Sequence, residues 1–228
     1  MKLLIVGLFL LIANARLFSQ ETETFEINFQ PTFLSKKLNL NQNYYTNQNY
    51  SIQFNTFKFY ISNIALIKEN RIVWKVTPGF YLIDLEDTNS LKIESLIPQK
   101  LNFDQISFDL GLDSLTNVSG AMGGALDPTK GMYWTWQNGY INLKLEGKCK
   151  ISTQEENEFV FHLGGYQSPF SAIQKISFKT RKHDIYQIEV ELNNWISEID
   201  FQNTKSIMSP RKEAIEMSKT ATKMFKLK

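Results

Sequence analysis

The chain has 228 residues, and its 25 Lys and Arg nearly balance 23 Asp and Glu, for a formal charge of +2. A charge so near zero argues against nucleic acid or an anionic membrane surface as the main partner, since both are held largely by basic patches. One cysteine, Cys149, excludes an internal disulfide, and two histidines leave too few nitrogen and sulfur donors for a zinc enzyme.

The first residues read as an export signal. Met1-Lys2 is a minimal positive start, and residues 3–13 form an apolar run broken only by Gly7. Small residues follow, with cleavage expected near Ala15 or Ser19. The run is too short to span a bilayer comfortably, so it predicts a signal peptide over residues 1–19 and an exported chain, periplasmic or extracellular, that is not an integral membrane protein. Removing residues 1–19 takes away Lys2 and Arg16 and no acidic residue, so the formal charge falls to zero.

From residue 20 onward the chain has strand periodicity. Phe25-Glu-Ile-Asn-Phe29 alternates strictly and places Phe25, Ile27 and Phe29 on one face. Residues 52–57 and 59–67 form a long aromatic and β-branched stretch, and Glu69-Asn70 reads as a hairpin turn into residues 72–76. Further strands are expected at 80–85, 91–97, 106–110, 140–145, 159–163, 173–178 and 185–192. Short strands separated by turn signals predict an antiparallel β-sandwich-like fold, mainly β, with long irregular loops. No internal repeat or Pro/Ser-rich linker divides the chain, so residues 20–228 are read as one domain. Near the end, Ser209 as N-cap and Pro210 at the first helical position open a short C-terminal α-helix. Its packed face is expected from Ala214, Met217, Ser218, Ala221, Met224 and Phe225.

The segment between residues 111 and 147 stands apart. It is glycine-rich, contains the turn Leu126-Asp-Pro128, and carries Trp134-Thr-Trp136 just ahead of the strand at Tyr140. Two tryptophans two residues apart point the same way in extended chain, so this segment is either an aromatic binding surface or a loop packed on a core. Catalytic constellations are weak. No nucleophile elbow, phosphate loop or metalloprotease motif is present. The carboxylate pairs Asp84/Asp87, Asp109/Asp113 and Glu155/Glu156 are of the kind solvated loops produce. His162, in Phe159-Val-Phe-His-Leu-Gly-Gly165, lies on a strand with Phe159 and Phe161 toward the core. His183 reads as a solvated turn residue, Asp127 as a turn former, and Cys149 as a small apolar residue.

Taken in order, these motifs carry a resemblance. Phe59-Tyr-Ile-Ser-Asn-Ile-Ala-Leu66, Tyr81-Leu-Ile-Asp-Leu85, Ile106-Ser-Phe-Asp-Leu-Gly-Leu-Asp113 and Asn117-Val-Ser-Gly120 come first. Ala125-Leu-Asp-Pro128, Gly131-Met-Tyr-Trp-Thr-Trp136, Gly139-Tyr-Ile141, Phe161-His-Leu-Gly-Gly165, Ile207-Met-Ser-Pro210 and Met224-Phe225 complete the series. The chain resembles the MbnP-like family of exported copper-binding proteins, in the form common among Bacteroidetes-like homologues.

That resemblance implies a mainly β fold and a non-catalytic copper-handling role. It implies one copper ion held by imidazole beside a tryptophan, which a di-haem peroxidase-type partner oxidises in some members. His162 is then the foremost metal-site candidate, with Trp134 and Trp136 as aromatic partners, and Met132 and Met208 as thioether donors or packing residues. Copper-binding relatives have an Asn-His pair where this chain has Gly124-Ala125, so a second imidazole is missing there. Arg211 and Thr220 also stand where glycine and asparagine are common. Two other readings follow from the residues: a metal-free binding or scaffold module on the same fold, and a carbohydrate-acting protein with Trp134 and Trp136 as its platform.

Overall fold

The structure is a computed structural model, and it describes residues 21–46, 50–136, 139–151 and 157–228. The expected signal peptide, residues 1–19, and the pair Glu155/Glu156 lie outside the described residues. The chain runs through β1 (Thr22–Phe33), β2 (Lys36–Lys37), β3 (Asn43–Tyr45), β4 (Tyr50–Lys68), β5 (Arg71–Lys75), β6 (Phe80–Asp84), β7 (Lys92–Pro98) and β8 (Gln105–Leu110). After helix α1 (Ser114–Val118) come β9 (Tyr133–Trp134), β10 (Gly139–Ile151), β11 (Asn157–Gly164), β12 (Gln174–Lys179) and β13 (Ile185–Glu191). Helix α2 (Asn193–Ile196), β14 (Ser206–Ile207), α3 (Lys212–Ala221) and β15 (Phe225–Leu227) close the order.

The strands form two sheets of the expected sandwich-like, mainly β architecture. The smaller has the order β15-β13-β1-β2 with β7 also on β1. The larger runs β12-β8-β4-β10-β11-β14, with β3, β5 and β6 on β4 and β9 on β10. Most pairs are antiparallel, but β1 with β13 and β11 with β14 are parallel. Both pairs join segments distant in sequence, which frees them from the hairpin connection that enforces antiparallel pairing.

The inner faces of the two sheets share one core. Phe25, Ile27 and Phe29 are buried as their alternation requires. Phe29 meets Phe59 edge-on at 6.0 Å and Phe108 at 6.1 Å, and Phe59 meets Phe225 at 5.6 Å. Tilted and edge-on ring pairs of this kind add about 0.5–1.5 kcal/mol each beyond burial. Glu69 and Asn70 both take positive φ, at 50° and 63°, and join β4 to β5 as the tight hairpin expected there. Among the described residues, no helix is long and apolar enough to cross a membrane.

The C-terminal helix is present but shorter than its sequence pattern suggests. Ser209 and Pro210 form a bend outside the helix, and α3 begins at Lys212 after the extended Arg211, whose side chain makes no capping bond. The delay has a local cause. A Cβ on Gly165 would stand 3.0 Å from Pro210 Cβ, so these segments are in close contact, and Arg211 donates to Ser206 O at 2.8 Å. At the far end Met224 belongs to a 3-10 turn and Phe225 opens β15, which pairs with β13. Ala214, Ser218 and Ala221 are the buried face of α3.

Candidate functional site

A second, smaller apolar cluster lies on the outer face of the large sheet. It comprises Tyr60, Leu82, Leu112, Leu126, Met132, Trp134, Tyr140 and Ile141. The irregular chain of residues 111–136 is tied down there by polar side chains. Asn117 Nδ2 donates to Leu112 O at 3.1 Å while its Oδ1 accepts from Tyr140 N at 2.8 Å. The Tyr140 hydroxyl lies 3.1 Å from Met122 N and 3.0 Å from Leu126 O. Asp127 Oδ1 accepts from Thr129 N at 2.9 Å, the turn-forming role expected of it.

β11 carries the candidate histidine. Its alternation turns Phe159, Phe161 and Leu163 into the main core and His162 and Gly164 to the outer face. Strand register then builds a polar row across four strands. Asp84 is opposite Lys58, Lys58 opposite Lys144, and Lys144 opposite His162. Lys58 Nζ sits 2.9 Å from Asp84 Oδ2 and 2.6 Å from Glu86 Oε2. At the other end, His162 Nε2 is 2.6 Å from Glu146 Oε1, and Lys144 Nζ is 3.4 Å from the same oxygen.

Electrostatics follow from this burial and pairing. Burial pushes the His162 imidazole below its ordinary pKa of 6.5, only partly opposed by the Glu146 hydrogen bond. Burial alone would raise the Glu146 carboxyl, but the His162 hydrogen bond and the Lys144 charge outweigh it and hold that carboxyl below 4.5. The imidazole is therefore neutral near pH 7. A carboxylate bound to one ring nitrogen also fixes the ring orientation, as it does for ligating histidines.

The tryptophans meet this histidine's strand. A Cβ on Gly164 would lie 2.7 Å from the Trp134 ring, so the glycine is the seat on which Trp134 rests, two residues from His162 on the same face. Trp134 is buried and Trp136 is 64% exposed, with ring centroids 5.8 Å apart at 45°. The Trp134 indole N–H is buried without a hydrogen-bond partner among the described residues. Met132 is fully enclosed in the outer cluster. Met208 is half exposed and directly follows Ile207, which pairs with Phe161; extending the register by one residue sets it abreast of His162. Trp134 thus sits on the His162 face of β11 with Trp136 against it, Met208 follows the strand that pairs beside Phe161, and Met132 belongs to the enclosed cluster.

The other sequence candidates are used structurally. Asp113 accepts from Thr116 N to cap α1, and Asp109 Oδ1 pairs with Lys175 at 3.2 Å. Cys149 faces the main core, and burial raises its thiol to about 11. Gly124-Ala125 begins a 3-10 turn, with Ala125 O accepting from Tyr60 OH at 3.0 Å. A cavity of about 260 Å³ separates this turn from Asp84 and Asp87. The turn stands over β4 and β6, two and three strands from β11, or roughly 10–15 Å of sheet width. Glu146 and Lys144 were not singled out from the sequence. Alternation marks them as outward on β10, but only pairing with β11 brings them to His162.

The donor set can be tested against a metal. No group of three or more His, Cys, Asp or Glu able to hold an ion exists among the described residues. A closed divalent site is therefore not supplied. A soft, low-coordinate Cu(I) ion accepts imidazole and thioether donors, and His162 is the buried imidazole that would hold one.

These features define a β-sandwich protein with a single buried histidine and a tryptophan pair on its outer face. The chain belongs to the MbnP family: the MbnP family model matches residues 22–209. Among solved structures it is similar to MbnP from Methylosinus trichosporium, at 12% identity and a TM-score of 0.59, over 83% of this chain and 81% of that one. That likeness shows the shared fold. Among curated proteins, none matches the chain in sequence.

Proposed function

We propose that the chain is an exported copper-binding or copper-trafficking protein of the MbnP family, acting without catalysis in the periplasm or outside the cell. The observation that supports this reading is the seating of Trp134 on Gly164, two residues from the buried His162 on the same face of β11, with Trp136 against Trp134. In this reading His162 is the principal ligand, kept neutral by burial and oriented by Glu146. Met208 offers its thioether from the half-exposed side. Trp134 and Trp136 wall the patch and limit water. Copper supplies no bond-making chemistry here; it is cargo. A di-haem peroxidase-type partner belongs to the same proposal, and Trp136 is the ring such a protein would reach first, given its exposure.

The test is an anaerobic Cu(I) titration of purified protein, followed by metal analysis and intact mass on the same sample. One equivalent of copper is expected, with affinity lowered at least tenfold in His162→Ala. Equal uptake by wild type and His162→Ala refutes the reading.

One observation favours a second reading, the metal-free module. The Lys144 ammonium already shares the Glu146 oxygen with His162, so this polar group is satisfied without an ion. Under that reading the protein takes up no copper beyond an inert exported control.

A further inference from the structure

We propose that Lys144 is a charge filter at His162, admitting a monovalent copper ion and rejecting divalent ions. The inference rests on the copper-binding reading above. Lys144 Nζ lies 3.4 Å from Glu146 Oε1, and that oxygen lies 2.6 Å from His162 Nε2, so the ammonium stands no more than about 6 Å from the imidazole. It is held in place. Nζ also donates to Gly131 O at 3.2 Å, and the side chain is only 17% exposed, so water screens its charge weakly.

The sign of the effect is visible on His162 itself: burial is the main influence that disfavours a proton on the ring, the Glu146 hydrogen bond opposes it, and the Lys144 charge adds to it. A metal cation on that ring meets the same repulsion. Coulomb energy scales with ionic charge. Nε2 is taken by Glu146, so an ion would bind Nδ1, up to about 10 Å from the ammonium. At that distance an effective dielectric of about 20–40 makes each unit of charge on the ion weaken binding about four- to twentyfold. A divalent ion meets that factor twice. Glu146 attracts cations, but its Oε1 is already shared by His162 and the ammonium. The absence of a third His, Cys, Asp or Glu among the described residues leaves a divalent ion nothing with which to offset the penalty.

The experiment compares Zn²⁺ and anaerobic Cu(I) affinities, each by competition with a chromophoric chelator, in wild type, Lys144→Gln, Lys144→Leu and Lys144→Arg. Thermal melts check that each variant folds, and the two neutral variants guard against the loss of either one. Both neutral variants are expected to tighten Zn²⁺ at least about fourfold more than Cu(I), while Lys144→Arg keeps the wild-type ratio. An unchanged Zn²⁺/Cu(I) ratio in folded neutral variants overturns the filter, whatever wild type does with copper. If wild type takes up no Cu(I) yet the neutral variants gain Zn²⁺, the filter stands and the copper-binding reading falls.

Discussion

Gly164→Ala tests whether Trp134 is seated as the site requires. A Cβ at this position would stand 2.7 Å from the Trp134 ring and 2.7 Å from Tyr140 O. The ring can retreat, but the carbonyl belongs to β10, and Gly164 pairs with Ile141 of that strand. The backbone at Gly164 has no positive φ, so the cost is steric alone. Overpacking of this kind costs about 1–3 kcal/mol, which lowers the melting temperature of a domain this size by about 2–12 °C. Gly123→Ala is the matched control, because nothing lies within 4 Å of its Cβ position and its φ is −91°. The assay is thermal denaturation together with tryptophan emission and acrylamide quenching, in a Trp136→Phe background that removes the exposed ring. Gly164→Ala should melt lower, with red-shifted and more quenchable emission. If both alanine variants melt with wild type and emission is unchanged, Trp134 does not rest on Gly164 and the site geometry is wrong.

Other consequences can be measured alongside. Glu191 is buried and accepts from Leu34 N at 2.9 Å, Ser35 N at 2.8 Å and Asn193 N at 3.1 Å, holding Leu34 and Ser35 at positive φ. Glu191→Ala strands those donors and should cost about 3 kcal/mol by urea denaturation, with Glu191→Gln costing less; a loss near zero would refute the clamp. Acid should destabilise the outer face in two stages. His162 titrates below 6.5 in the fold, so the unfolded chain binds its proton more readily, and stability present above that pH declines as pH falls toward the folded value. Glu146, held below 4.5, contributes stability above that pH that is lost as pH falls through its own folded value. Urea midpoints should therefore drop between about pH 7.5 and about pH 5.5, and drop less in His162→Gln. An equal drop in that variant would place the titrating group elsewhere.

Much of the fold was legible because it rests on local alternation. Phe25, Ile27 and Phe29, and again Phe159, Phe161 and Leu163, could be assigned inward from period-two patterning. The Glu69-Asn70 turn was legible because asparagine tolerates positive φ. The start of α3 was not, because Pro210 is held beside Gly165 and Arg211 reaches back to Ser206, contacts that join distant segments. Met224 and Phe225 kept helical spacing in sequence, yet pairing with β13 gave Phe225 a strand partner that outweighed local propensity. His162 and the tryptophan pair were visible as motif residues. Glu146 and Lys144 were not, since they are ordinary outward residues until a neighbouring strand is known.

The sequence by itself determined the family, the mainly β architecture, the inward aromatic sets and the residue types available to a metal. These depend on composition, period and motif order, which need no knowledge of distant contacts. Only the tertiary structure decided what surrounds His162. Register across β6, β4, β10 and β11 lined up Asp84, Lys58, Lys144 and His162, and Gly164 left room for Trp134 beside them. The Lys144 ammonium stands within about 6 Å of the imidazole, through the Glu146 oxygen they share. Strand pairing, which brings together residues far apart in the chain, sets that distance.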